Sequence, residues 1–103
     1  MLKQVVLVSG LILSLGMSAS SLAAGDAAAG KAKAATCIGC HGVDGISMIP
    51  TYPNLKGQKA AYTAKQLKAF RDKTRNDPVM SGMSANLTDQ DIEDLSAYYE
   101  SLK

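Results

Sequence analysis

Cys37, Ile38, Gly39, Cys40 and His41 follow one another in a chain of 103 residues that has no other cysteine and no other histidine. Two thiols separated by two residues and followed at once by an imidazole form Cys-x-x-Cys-His, the attachment pattern for haem of the c type. The thiols add across the two vinyl groups of haem, and the imidazole then sits where it can bind the iron. Two intervening residues let both sulfurs reach one edge of the ring from a single helical turn. Other chemistries use the same residue types. A thioredoxin-like redox pair needs strands alternating with helices around it, and no strand pattern is legible here. Zinc normally takes four ligands, whereas this chain offers three soft ones, all within five residues. A disulfide closing so short a loop gains little chain entropy and leaves His41 without a role. Covalent haem uses all three side chains.

Iron with a single protein ligand suits gas binding or peroxide chemistry. Iron with two strong ligands is closed and suits electron transfer. With no second histidine, the other face falls to a methionine thioether, which raises the reduction potential. Outside the N-terminal segment the methionines are Met48, Met80 and Met83. Met48 follows His41 too closely to reach the far face easily. Met80 and Met83 lie before the last helix, in a segment that can wrap around, and spacing does not separate them. The ordinary use of a methionine is to fill gaps in a core.

The chain opens on Met1-Leu2-Lys3, continues in an apolar run from Val5 to Met17, and then turns to small residues up to Ala24. This is the form of a secretory signal peptide. Ser21 and Ala23 fit the small-residue rule for cleavage after Ala23, so residues 1–23 are expected to be removed and 24–103 to form one domain. The apolar run is short of the roughly 20 residues of a membrane span. Together with covalent haem, this points to the periplasm and away from an integral membrane protein. Without Lys3 the chain has 10 basic and 9 acidic residues, a net charge of +1. Two ionised haem propionates bring it near −1. No markedly basic surface is expected, and so no nucleic-acid partner.

The remaining sequence reads as three helices and their connections. The first starts at Asp26, a good N-cap, and runs through alanines toward Cys37. Gly30 interrupts it, which suggests that another backbone crosses there. From Gly42 to Gln58 the chain is rich in turn signals. The second helix covers about Lys59 to Lys73, with Ala60, Thr63, Ala64, Leu67 and Phe70 inward. Lys59, Lys65 and Lys68 lie on a solvated face. A loop covers Thr74 to Asn86. The third helix opens on a capping box, Thr88 with Asp91, stapled by Leu87 and Ile92. Asp89, Asp91, Glu93 and Asp94 crowd its positive end. Ile92, Leu95, Tyr98 or Tyr99, and Leu102 make its buried stripe.

Four stretches in order carry a family resemblance. They are Cys37-x-x-Cys40-His41-Gly42 with Asp44-Gly45, Pro53-Asn54-Leu55-x-Gly57-Gln58, Met80-Ser81-Gly82-Met83, and Leu87-Thr88-Asp89 leading into Leu95-Ser96-Ala97-Tyr98. From about Asp26 to Leu102 the chain resembles a class I cytochrome c. It is most similar to small bacterial single-haem carriers of the cytochrome c-553 type and to one half of the bacterial di-haem cytochromes c. The resemblance implies an all-α fold of three to four helices around one covalently bound haem c, the first and last helices crossing at Gly30 against Leu95 and Tyr98. It implies thioethers at Cys37 and Cys40, axial ligands His41 and Met80 with Met83 as the alternative, a Pro53 carbonyl on the ligand histidine, and Leu55 packed on the haem. It implies a monomeric one-electron carrier with transient redox partners, not an enzyme. The alternative is a haem relay subunit of a periplasmic redox enzyme, such as a flavocytochrome sulfide dehydrogenase. The chain departs from larger members in having no tryptophan for a propionate and Ala34 where many carry a large aromatic. Arg71, Arg75, Gln58 and Tyr62 are the candidates for the propionates.

A domain this small buries a modest core, and covalent haem acts as a staple. The Cys37→Ala, Cys40→Ala variant is therefore expected to be largely unfolded. Circular dichroism should show little helix and no cooperative melt; a native-like melt would refute the staple.

Overall fold

The computed structural model describes residues 24–103 together with Gln4, Val5 and Gly10. Apart from those three positions, the leader expected at 1–23 lies outside the described residues. Five α-helices follow in order: α1 (Ala27–Lys33), α2 (Ile38–His41), α3 (Ala60–Arg71), α4 (Pro78–Ser84) and α5 (Asp89–Ser101). No strand occurs among the described residues.

The helix starts are locally encoded. Asp26 caps α1 by accepting from the N–H groups of Ala28 at 2.9 Å and Ala29 at 3.2 Å. The helix expected to run toward Cys37 instead tightens into a 3-10 turn at Ala34–Thr36. The haem motif then occupies its own single turn, α2. Gly42 ends that turn with φ +88°, and a Cβ there would stand 1.8 Å from the Ile46 carbonyl oxygen. α5 opens on the expected box, with both Thr88–Asp91 bonds at 3.0 Å. α3 has no cap of its own at Lys59. The Glu100 carboxylate on α5 supplies one from a distance by accepting from the Ala60 N–H.

The expected loop at 74–86 contains α4. Asp77 accepts from Val79 N–H at 3.0 Å and Met80 N–H at 2.9 Å, and Pro78 stands in the first turn, where its missing N–H costs nothing. The Asp-Pro pair was the available start signal.

α5 packs against both α1 and α3. A Cβ on Gly30 would come within 1.9 Å of the Asp94 carbonyl oxygen and 2.8 Å of Tyr98 Cβ, so the two backbones meet where only glycine fits. Asp94, grouped in the sequence with the acids of the helix start, belongs to this crossing. It is 4% exposed. Its Oδ1 accepts from Asp26 N–H and from Gln90 Nε2, both at 2.9 Å, and its Oδ2 meets Lys33 Nζ at 2.6 Å. Lys33 also reaches Asp91 Oδ1 at 2.9 Å. The Lys33 ammonium, then the Asp26 and Gln90 bonds, hold the Asp94 carboxyl at about 2.

The core joins Ala34, Leu95, Tyr98 and Tyr99, with Cys37, Leu55, Leu67, Leu87 and Leu102 packed against it. Ala34 is fully buried, and the adjacent Tyr98 and Tyr99 rings stand 5.0 Å apart. Both tyrosines are buried because α5 has neighbours on two sides. On α3, Thr63, Ala64 and Phe70 are buried, while Leu67 is half-buried.

Gly30→Ala forces the helices apart and is expected to cost about 2–3 kcal/mol, read by denaturant unfolding of the haem-loaded protein. The depressed Asp94 carboxyl fixes a pH dependence. Its ionised form is favoured in the fold, so its contribution is complete above the ordinary carboxylate value near 4 and is lost as pH falls toward about 2. Lys33→Met should flatten the fall in melting temperature between pH 4 and 2.

Candidate haem site

A cavity of about 410 Å³ lies between α3, α4 and the chain after α2. Cys37, His41, Pro53, Leu55, Met80 and Met83, six of the seven residues singled out from the sequence, line it. The seventh, Cys40, lines a narrower cleft of about 60 Å³ shared with Cys37, His41, Tyr52, Met80 and Met83. Met48 lines neither and is 94% exposed.

His41 is buried, and its Nδ1 donates to the Pro53 carbonyl oxygen at 2.8 Å. A carbonyl can only accept, so the proton sits on Nδ1 and the Nε2 lone pair of the neutral ring is left for a metal. The Pro53 carbonyl is itself held in place. Gly45 O accepts from Leu55 N–H at 2.7 Å and Lys56 N–H at 3.0 Å, and Asn54 Oδ1 accepts from Ser47 N–H at 2.8 Å. Ser47 Oγ in turn donates to the Cys40 carbonyl at 2.9 Å. The irregular stretch 42–58 thus works as one bonded frame from the thiol turn to the carbonyl that orients its histidine. Neither Cys37 nor Cys40 is in a disulfide.

Leu55, Leu67, Phe70, Leu87 and Leu95 give the cavity apolar walls. Set among them are three hydroxyls, on Thr63, Ser84 and Tyr99, that are buried and lack a hydrogen-bond partner. Burial, reinforced by the nearby Cys37 sulfur, pushes the Tyr99 phenol well above its usual range. The helical periodicity marked Thr63 and Tyr99 only as inward, and Ser84 fell in the expected loop. That their hydroxyls are unpaired follows from how three elements meet.

Of the four propionate candidates, Gln58, Tyr62 and Arg75 line the cavity and Arg71 does not. Arg71 donates from Nη1 to Asp89 Oδ1 at 2.7 Å and to Leu87 O at 3.2 Å, and from Nε to Asp72 Oδ1 at 3.0 Å. It ties the end of α3 to the start of α5.

The donor set suits haem c. Two free thiols, an imidazole with its tautomer fixed and two thioethers surround an apolar space with unpaired polar atoms in its wall. No group of three or more His, Cys, Asp or Glu able to hold a metal ion occurs among the described residues. Nor is any helix there long and apolar enough to cross a membrane.

The chain is similar to known proteins over most of its described length. Residues 27–103 match the family model described as cytochrome c. A cytochrome c4 from Pseudomonas aeruginosa is 48% identical over 93 residues, covering 90% of this chain and 46% of the relative. The chain thus spans about half the length of that protein. Cytochrome c-554(548) from Halomonas halodenitrificans is 51% identical over 81 residues, 76% of this chain and 98% of the relative. The solved structure of reduced recombinant cytochrome c4 from Pseudomonas stutzeri superposes with a TM-score of 0.74 at 44% identity, covering 78% of this chain and 47% of that one.

Proposed function

The chain belongs to the cytochrome c family, with its class I fold, its covalently bound haem c and iron and its electron-carrying role, and from this we propose a one-electron carrier of the periplasm with closed His–Met iron. Cys37 and Cys40 would hold the haem, and His41 and Met80 would ligate its iron. Residues 1–23 are the export leader, cleaved after Ala23. The observation that carries the reading is that His41, its ring fixed by Pro53, and Met80 line one cavity from two separate elements. When bound, haem iron gains and loses one electron, and the protein supplies orientation and tuning.

Each residue has a definable share in that tuning. The Pro53 carbonyl on Nδ1 makes His41 a more basic ligand. A neutral thioether on the other side favours reduced iron and raises the potential. The leucines and Phe70 keep water from the cavity. Ile38, Val79 and Met83 are large apolar side chains left exposed near the cleft that Cys37 and Cys40 line. Exposed apolar side chains at this edge suit brief contact with redox partners.

The choice of Met80 over Met83 is supported by exposure and anchoring. Met80 is half-buried and its N–H is held by the Asp77 cap, whereas Met83 is 47% exposed. Met80→Ala is expected to abolish the sulfur-to-iron charge-transfer band at the red end of the ferric spectrum, and Met83→Ala to keep it. The reverse outcome transfers the ligand to Met83. Rapid carbon monoxide binding by the reduced wild-type protein at neutral pH would show an open iron and end the carrier reading.

A further inference from the structure

Among the described residues, the cavity wall carries one arginine or lysine, Arg75. Its guanidinium has no carboxylate within 4 Å among those residues. It is held by neutral groups instead. Nη1 donates to Gln66 Oε1 at 2.8 Å, and the guanidinium carbon stands 4.4 Å from the centroid of the Phe70 ring. Gln66 and Phe70 are themselves wall residues. The backbone fixes the same position. Lys73 takes φ +61°, which turns the chain back on α3, and Arg75 N–H donates to the Ala69 carbonyl at 3.1 Å.

An amide oxygen and a ring face orient a guanidinium without neutralising it, and one bond leaves most of its five N–H donors uncommitted. A cation so placed is ready for an anion. Haem brings two carboxylates to this cavity, and a carboxylate against apolar walls needs a charged hydrogen-bonding partner. The other titratable wall groups do not compete. Asp77 is taken up by the N–H groups of α4, His41 faces Pro53 through Nδ1, Cys37 is a thioether once haem is attached, and Tyr52, Tyr62 and Tyr99 bring phenols and no cation to the wall. We propose that Arg75 binds a haem propionate, while Arg71, four residues earlier on α3, serves only the fold. The inference rests on the haem seating proposed above.

The test uses the whole exported, haem-loaded protein and its R75M, R75K and R71M variants. The reduction potential is followed against pH, with thermal unfolding and the charge-transfer band recorded alongside. A nearby cation depresses a carboxyl by about 1–3 pH units. R75M should therefore move the propionate-linked bend of the curve up by about one pH unit or more, with the band retained, and R75K should restore most of the shift. R71M should leave the bend in place and lower the melting temperature. An R75M curve superimposable on the wild type, or a bend that moves in R71M instead, overturns the proposal. If R75M takes up no haem, R75Q is read by the same criteria. Loss of the underlying seating is distinguishable, because the wild type itself would then lack thioether-bound haem or the charge-transfer band.

Discussion

The close passage of α1 over α5 at Gly30 governs where everything else can stand. α1 leads through one 3-10 turn into the thiols, and α5 carries Leu95 and Tyr99 of the cavity wall. Because a Cβ at Gly30 would overlap the Asp94 carbonyl, the helices lie closer than side chains normally allow. Their separation is thus set by backbone contact. Asp94 then fixes their relative slide, since its carboxylate takes donors from both helices. A buried carboxylate is a liability unless well satisfied. Here the backbone Asp26 N–H, Lys33 and Gln90 satisfy it together, and the charge becomes a register mark for the crossing.

The rest of the core is incomplete without a large apolar group. The buried cluster is small, and Leu55, Leu67, Leu87 and Leu95, which belong to it or pack against it, also line the cavity together with Phe70. Helix pairing at one end and the bonded loop of residues 42–58 at the other frame a space that the haem of this family completes.

The parts legible in the sequence were those in which neighbouring residues decide. The pentapeptide, the Asp26 cap, the capping box at Thr88 and the crossing glycine are all local signals, and the structure has each where the sequence placed it. The residues read as ligands and haem contacts line one cavity and its adjoining cleft. What escaped depends on contacts across the fold. Asp94 looks like a helix-dipole residue until Lys33 and Asp26 arrive from α1. Glu100 looks like a solvated end residue until α3 presents its uncapped Ala60. Arg71 and Arg75 are indistinguishable by type, and they separate only because α5 offers Asp89 to one while the chain reversal at Lys73 turns the other to the cavity. α4 was missed although its signal was local, because a seven-residue helix between turn formers carries too little periodicity to stand out.

That shortness bears on the distal side of the site. Helices of two turns are not stable in isolation. α4 keeps its place through the Asp77 cap, the fully buried Ser84 and the Ser81 hydroxyl, which donates to the Arg75 carbonyl at 3.5 Å. The two sides of the cavity are therefore unequally supported. His41 belongs to a turn continuous with α1 and is braced by the bonded frame up to Pro53, whereas Met80 hangs on one cap and a few contacts. The proximal side can be set by the polypeptide before any distal bond forms. The distal thioether sits on the element with the least structure of its own, and so its position depends most on what fills the cavity.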